Sequence, residues 1–407
     1  MVNVIGLGYI GLPTALMLAS HGVEVVGTDY NKELVESLNA GVPTFKEDGL
    51  DELFKKAVDA GIKFTNNYQH TDIYIVAVPT PYNKFSKKVD ACYVKAAVND
   101  VLDVCNAGAT IIVESTVSPG TIDKEVRPLI AERGFITGKD VHLVHAPERI
   151  LPGNMIYELI NNDRTIGADE PKVAVRVRDI YASFCKGEIV LTDIRTAEMT
   201  KVVENTFRAV NIAFANELSR ICRHDNMDVY EIIRICNKHP RVNIMNPGPG
   251  VGGHCISVDP WFLVGDYPQL TKVIGESMKV NDSQPDFVLE RLQVIMQENN
   301  IKDASRVGLY GITYKENVDD YRDSPTLQLL ESQERHLAAP LKCYDPFLEN
   351  MKLTESQYSD FDAFINDVDI VVVMVKHDHI CHNWDRLKDK IVLDCHNICP
   401  LPNTYRL

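Results

Sequence analysis

The chain opens on a short apolar run, Val2 to Ile5, that runs straight into Gly6-Leu7-Gly8-Tyr9-Ile10-Gly11. A helix-like segment, Leu12 to Ser20, comes next, and a second apolar run, Val23 to Gly27, leads to Asp29. Strand, glycine turn, helix, strand and acid in this order form the G-x-G-x-x-G arrangement of a βαβ dinucleotide-binding unit. Gly6 permits the turn, Gly8 lets a pyrophosphate approach, and Gly11 lets the helix pack on the strand. The helix N-terminus faces the phosphates. Asp29 accepts hydrogen bonds from the adenosine ribose hydroxyls and repels a 2′-phosphate, so NAD is expected rather than NADP.

The βα rhythm continues. Strands are expected at Ile73 to Val78, Thr110 to Glu114, His142 to His145, Thr165 to Gly167 and Glu188 to Leu191, with a helix at Lys172 to Phe184. Their carboxyl ends lead into Pro79-Thr80-Pro81, Ser115-Thr116-Val117-Ser118-Pro119 and Ala146-Pro147-Glu148-Arg149. Ligands of open α/β sheets sit at such loops. From Thr196 a helical pattern runs without Gly or Pro to about Asp225 and is expected to act as a spine between domains. Lys201 and Asn205 lie four apart on it and share a face; a solvated face is the competing reading for Lys201. Helices follow at Val229 to Asn237 and Gln284 to Asn299. A second strand series, Val307 to Tyr310, Leu341 to Tyr344, Ile370 to Val375 and Ile391 to Asp394, with a helix at Thr326 to Glu334, forms another doubly wound domain without a glycine fingerprint. The expected fold is α/β: a Rossmann domain over 1–194, a central helical domain over 195–300, and a Rossmann-like domain over 301–407. No repeats are evident.

Charge narrows the partners. Lys and Arg number 42 against 57 Asp and Glu, a net charge of −15. Such a surface repels nucleic acid and anionic membranes, so neither is expected as a partner. An anionic substrate then needs a local group of Arg and Lys. No run reaches membrane-spanning length, and the immediate strand leaves no signal peptide in view. The 10 cysteines are scattered. With a nucleotide-binding fold they point to reduced thiols and a cytoplasmic protein.

One cysteine stands apart, in Gly250-Val251-Gly252-Gly253-His254-Cys255-Ile256-Ser257-Val258-Asp259. A tight turn ending in a small apolar Cys is the bland account. Beside a nicotinamide site, a thiol in a glycine loop with a carboxylate four residues on points instead to oxidation through a covalent aldehyde adduct. A two-electron hydroxy-acid dehydrogenase, in which Cys255 is dispensable, and a non-catalytic NAD-binding regulator are the other classes. His377, His379, Cys381, His382, Cys395, His396 and Cys399 are able to bind metal, but they follow two strand ends where polar loops belong; no metal is expected.

These motifs together resemble the UDP-glucose/GDP-mannose dehydrogenase family along nearly the whole chain. The resemblance rests on Gly6 to Gly11, Val78 to Pro81, Glu114 to Thr121, Pro147-Glu148-Arg149, Lys201 with Asn205, Gly252 to Asp259, and Tyr314 to Pro325. His254 and Ile256 to Val258 depart from the UDP-glucose pattern, as does Pro152, near whose position that branch carries a glutamate; Glu158 to Arg164 and His239 to Asn243 resemble the branch acting on 2-acetamido sugars. The resemblance implies a four-electron oxidation at C6 of UDP-N-acetyl-D-mannosamine with NAD, UDP-N-acetyl-D-glucosamine being the alternative. It implies Cys255 as nucleophile, Lys201 and Asn205 at the oxyanion, and Asp259, Glu148 and Thr116 around water. The cofactor falls to Gly6, Gly8, Tyr9, Ile10, Gly11, Asp29, Pro79, Thr80, Thr116 and Arg322. The UDP-sugar falls to Arg149, Lys201, Asn205, Arg241, Gly252 and Lys315. Arg164 adds local positive charge, and Arg241 reaches the neighbouring site of a homodimer joined through the central helices.

Overall fold

The computed structural model describes residues 1–333, 340–402 and 404–407. The chain divides into two compact units, Met1–Glu204 and Asn205–Leu407.

The first unit is built on eight strands: β1 (Val2–Ile5), β2 (Val25–Thr28), β3 (Lys63–Thr65), β4 (Ile73–Val76), β5 (Ala109–Val113), β6 (Val141–His145), β7 (Arg164–Ala168) and β8 (Ile189–Thr192). Their spatial order is β3-β2-β1-β4-β5-β6-β7-β8. All neighbours are parallel except β6 and β7, whose antiparallel pairing sets Val144 opposite Ala168. Alternate residues enter two different cores. Val2, Val4, Ile73 and Ile75 face one; Ile5, Tyr74, Val76 and Ile111 face the other. Burial on both faces is why these strands read as continuous apolar runs.

Among its described residues the second unit carries six parallel strands: β9 (Val307–Tyr310), β10 (Lys342–Tyr344), β11 (Gln357–Tyr358), β12 (Ile370–Val373), β13 (Ile391–Asp394) and β14 (Thr404–Arg406). Their order is β11-β10-β9-β12-β13-β14. Ahead of this sheet come helices Val229–Cys236, Asp259–Asp266, Lys272–Asp282 and Gln284–Glu298. The helix expected over Thr326 to Glu334 runs Pro325–Gln333, and Glu334 lies outside the described residues.

The spine helix spans 31 residues, Ile194–His224, about 46 Å at the α-helical rise. It starts before Thr196. Asp193 Oδ1 accepts from the Thr196 backbone N–H at 2.9 Å and Oδ2 from its hydroxyl at 2.6 Å, so the acid supplies the cap. Among the described residues no helix is long and apolar enough to cross a membrane.

Candidate active site

The glycine turn is fixed from beneath. Gly6 has φ +86°, and a Cβ there would meet the Ala77 carbonyl oxygen at 2.5 Å. A Cβ on Gly11 would meet the Gly6 oxygen at 1.8 Å. Gly8 differs, for a Cβ there would have nothing within 4 Å. Gly6 and Gly11 are therefore needed by the fold, whereas the space over Gly8 is open to a ligand. Asp29 is buried at the end of β2. Its Oδ2 accepts from Leu7 N at 2.8 Å and its Oδ1 from Asn31 N at 2.9 Å. The acid thus anchors the glycine turn as well, and each oxygen retains a lone pair for a ribose hydroxyl. Open space over Gly8, the helix Gly11–Ser20 beyond it and an acid at the next strand end fit a dinucleotide.

Pro79 and Thr80 follow β4, and Thr116 follows β5. Ser115 ties the two loops: its hydroxyl donates to the Val78 oxygen at 2.7 Å and accepts from Val78 N at 2.9 Å. The loop after Thr116 is held from the spine helix. Glu198 is fully buried, and its carboxylate accepts from Gly120 N and, at 2.9 Å, from Ile122 N. Burial pushes this carboxyl up to about 7, against the two N–H donors. Lys201, one turn on, is 7% exposed, which removes the solvated-face reading.

Glu148 and Arg149 follow β6. One Glu148 oxygen accepts from Arg149 N at 2.7 Å; the other pairs with Arg164 Nη2. The second Arg164 nitrogen, Nη1, faces Glu114 Oε1 at 3.4 Å. The guanidinium lies 4.3 Å from the centre of the Tyr181 ring. Arg164 is therefore buried and neutralised, which corrects the expectation that it serves a diphosphate. Arg149 reaches Asp163 O at 2.8 Å, Thr165 Oγ1 at 3.0 Å and Glu204 Oε1 at 2.6 Å.

In the second unit, Cys255 occupies the turn that opens helix Asp259–Asp266. Its carbonyl accepts from Val258 N at 3.1 Å and Asp259 N at 2.8 Å. Cys255 is partly exposed and in no disulfide. Asn205 Nδ2 donates to Asp259 Oδ2 at 2.6 Å, with both side chains buried. The glycines before Cys255 admit the protein itself. A Cβ on Gly252 would meet Asp323 O and Tyr314 Cβ at 2.7 Å; one on Gly253 would meet the Tyr314 ring at 2.8 Å. Gly253 N also donates to Arg322 O at 3.0 Å. The Cys255 turn is thus packed against the Tyr314-to-Pro325 loop. Arg322 bonds Asp320 in fork geometry, Nε at 2.7 Å and Nη2 at 2.5 Å. Lys315 is half-buried on that loop, and Arg241 is exposed.

The NAD binding domain of the UDP-glucose/GDP-mannose dehydrogenase family matches residues 1–185, its central domain residues 195–283 and its UDP binding domain residues 308–400. The chain belongs to this family. It is 40% identical to UDP-N-acetyl-D-mannosamine dehydrogenase of Methanocaldococcus jannaschii, over 98% of this chain and 92% of that one. It is 38% identical to NDP-N-acetyl-D-galactosaminuronic acid dehydrogenase of Ralstonia nicotianae, over 97% and 95%. The solved UDP-D-ManNAc dehydrogenase of Pyrococcus horikoshii matches with TM-score 0.90 at 34% identity, covering 100% of this chain and 99% of that one.

Three of the metal-capable histidines near the second sheet have structural partners. His377 Nε2 lies 3.2 Å from Asp345 Oδ2, and its Nδ1 accepts from Asn317 N at 2.9 Å. His379 Nδ1 lies 3.0 Å from the Tyr310 hydroxyl, and His396 Nε2 2.9 Å from Met374 O. Among the described residues no group of three or more His, Cys, Asp or Glu is arranged to hold a metal ion.

Proposed function

We propose that this family member oxidises the C6 alcohol of UDP-N-acetyl-D-mannosamine to the carboxylate of UDP-N-acetyl-D-mannosaminuronate, reducing two NAD+. Support comes from relatives of that name, aligned nearly end to end. The relatives' manno and galacto names do not favour the gluco alternative. We assign the NAD-binding part to 1–194, the central helices to 195–300 and the UDP-sugar part to 301–407, in a cytoplasmic enzyme.

NAD is held by Gly6, Gly8, Tyr9, Ile10, Gly11, Asp29, Pro79, Thr80, Thr116 and Arg322. When bound it accepts one hydride in each of two oxidations. The protein's own residues do the rest. The Cys255 thiolate adds to the C6 aldehyde, forming a C–S bond and a thiohemiacetal that cannot escape. Loss of the second hydride leaves a thioester. Water adds to it, the C–S bond breaks, the thiol is restored and the carboxylate leaves. Negative charge gathers on the C6 oxygen in these steps, where the Lys201 ammonium and the Asn205 amide donate. Burial of Lys201 supports that role, because a buried ammonium is costly until an acceptor meets it. Asp259 and Glu148 position or deprotonate water, with the Thr116 hydroxyl as partner. Arg149, Arg241, Gly252 and Lys315 hold the UDP-sugar.

A homodimer is supported by the spine helix. Val203, Phe207, Phe214 and Ile221 recur on one side of it and remain exposed, Phe207 by 67%. Such a stripe calls for a partner of like kind, and Arg241 is assigned to the neighbouring site.

The observation that carries the reading is the buried Asn205–Asp259 pair beside the Cys255 turn. It ties an amide of the spine helix to a carboxylate that stands four residues after the thiol. The deciding measurement is NADH formed per UDP-sugar consumed, with the manno, gluco and galacto epimers compared. Two per sugar, fastest with the manno epimer, is expected; one per sugar with release of aldehyde overturns the mechanism.

A further inference from the structure

Glu148 is one of two carboxylates bound to a single buried guanidinium. Glu114, on the other side of Arg164, is buried at the end of β5. Its Oε1 also accepts from the Tyr181 hydroxyl at 3.0 Å, and its Oε2 from the Thr14 hydroxyl at 3.2 Å. Tyr181 and Phe184 flank the guanidinium at 4.3 and 5.5 Å. Two carboxylates and one guanidinium leave a surplus negative charge where side chains are 0–4% exposed. That surplus is expensive in a dry site.

We propose that Arg164 and Glu114 are positioning residues for Glu148: Arg164 pins its carboxylate, and Glu114, competing for the same guanidinium, sets how firmly it does so. The proposal rests on the reading of Glu148 as a water-activating base. Burial pushes Glu114 up to about 7, opposed by Arg164 and reinforced by Glu148. Near neutrality the surplus is therefore relieved by a proton on Glu114, and Arg164 is left to Glu148. The Thr14 hydroxyl tolerates that proton, since it can accept as well as donate. The other groups facing the cluster are Tyr181 on helix Pro171–Tyr181, Cys185 beyond it, and Arg149, whose charge is met by Glu204.

The two substitutions predict opposite changes in kcat, which a loss of packing would not produce. Glu114→Gln keeps the shape and removes the charge that Glu114 acquires as pH rises through about 7. The parent loses kcat over that rise as the new charge draws on Arg164, and the variant does not, so the alkaline limb of kcat against pH moves up by about one pH unit. Arg164→Lys weakens the hold on Glu148 and lowers kcat at pH 7 far more than it changes KM. Thermal melting reports whether each variant folds, and Glu114→Gln decides alone if Arg164→Lys does not. Glu148→Gln separates the two readings. If it abolishes turnover while Glu114→Gln leaves the alkaline limb in place or moves it down, the positioning role is overturned and the base survives. If Glu148→Gln retains full kcat, both are overturned.

Discussion

At the scale of single residues, the site relies on groups whose neighbours decide their charge or reach. Cys255 has its carbonyl tied to the start of a helix, so the turn holds its place while the thiol stays partly exposed. Cys255→Ser leaves that backbone intact but supplies an oxygen that is scarcely ionised at neutral pH. Overall NADH formation is expected to fall at least roughly a hundredfold, with a C6 aldehyde trapped by a hydrazine reagent in place of the carboxylate. Full turnover in the variant would favour the hydroxy-acid class. His145 teaches the converse lesson. It ends β6 one residue before the Ala146-to-Arg149 loop, and burial pushes its imidazole from the ordinary 6.5 down to about 4. The unfolded chain takes up the proton first, so the stability that His145 contributes as a neutral ring is complete above pH 6.5. It drains away as pH falls through 4. The full loss amounts to about 3 kcal/mol. Glu114 and Glu198 act the other way, because both are raised to about 7. Their share is present below pH 4.5 and lost as pH rises through 7. Urea midpoints from pH 4 to 8 should therefore fall less on the acid side for His145→Leu than for the parent.

At the scale of elements, strands were easier to read than helices, for a physical reason. A central strand buried on both faces is a short unbroken apolar word, and β1, β9 and β13 match their expected ends residue for residue. Strand ends elsewhere moved by a residue or two: β2 begins at Val25, not Val23. Short polar helices such as Lys32–Asn39 and Leu50–Asp59 escaped notice. Their apolar positions are too few to set a period without knowledge of the surface they cover. Residues proposed for the site stand out in the sequence where chemistry leaves a signature, as at Gly6 to Gly11, Cys255 and Lys201. They do not stand out where a contact spans distant sequence. Nothing in one sequence couples Arg164 to Glu114, or Glu198 to Gly120, because those pairings come from strand order. The spine helix shows both cases. Its length could be read from the absence of Gly and Pro, but the exposure of Phe207 and Phe214 could not. If that stripe is the dimer seam, Phe207→Glu with Phe214→Glu buries like charges against their copies. The pair is expected to give monomers by sedimentation velocity, with the melting temperature changed little, since neither ring supports the protomer's core. A dimer that persists would place the seam elsewhere.

At the scale of the molecule, the two sheets turn out to be variations on one plan, although no repeat is visible in the sequence. The six strands of the second sheet repeat the order of β1 to β6 in the first, which β7 and β8 extend. Gly6 follows β1 with φ +86°, and Gly311 follows β9 with φ +92°. Asp29 follows β2 and accepts from Leu7 N; Asp345 follows β10 and accepts from Ile312 N at 2.6 Å. The difference lies in what else each acid holds. Asp345 Oδ2 also takes Thr313 N at 2.9 Å, the Thr313 hydroxyl and His377 at 3.2 Å. That oxygen is filled and the other takes Phe347 N at 2.8 Å, so Asp345 has less left for a ribose than Asp29. Asp29 holds two backbone N–H groups on separate oxygens and can still bind one. The second sheet also lacks a counterpart of Gly8, the glycine whose missing side chain no protein atom needs. This asymmetry assigns the dinucleotide to the first sheet and makes Gly8→Ala a clean probe. The added methyl meets open space in the protein, so the melting temperature should hold, while it intrudes where a pyrophosphate would lie. Calorimetry is expected to show NAD affinity weakened by roughly tenfold or more and UDP affinity unchanged. Loss of both, without unfolding, would mean that one nucleotide site depends on the other. Loss of neither would move the cofactor off the glycine turn.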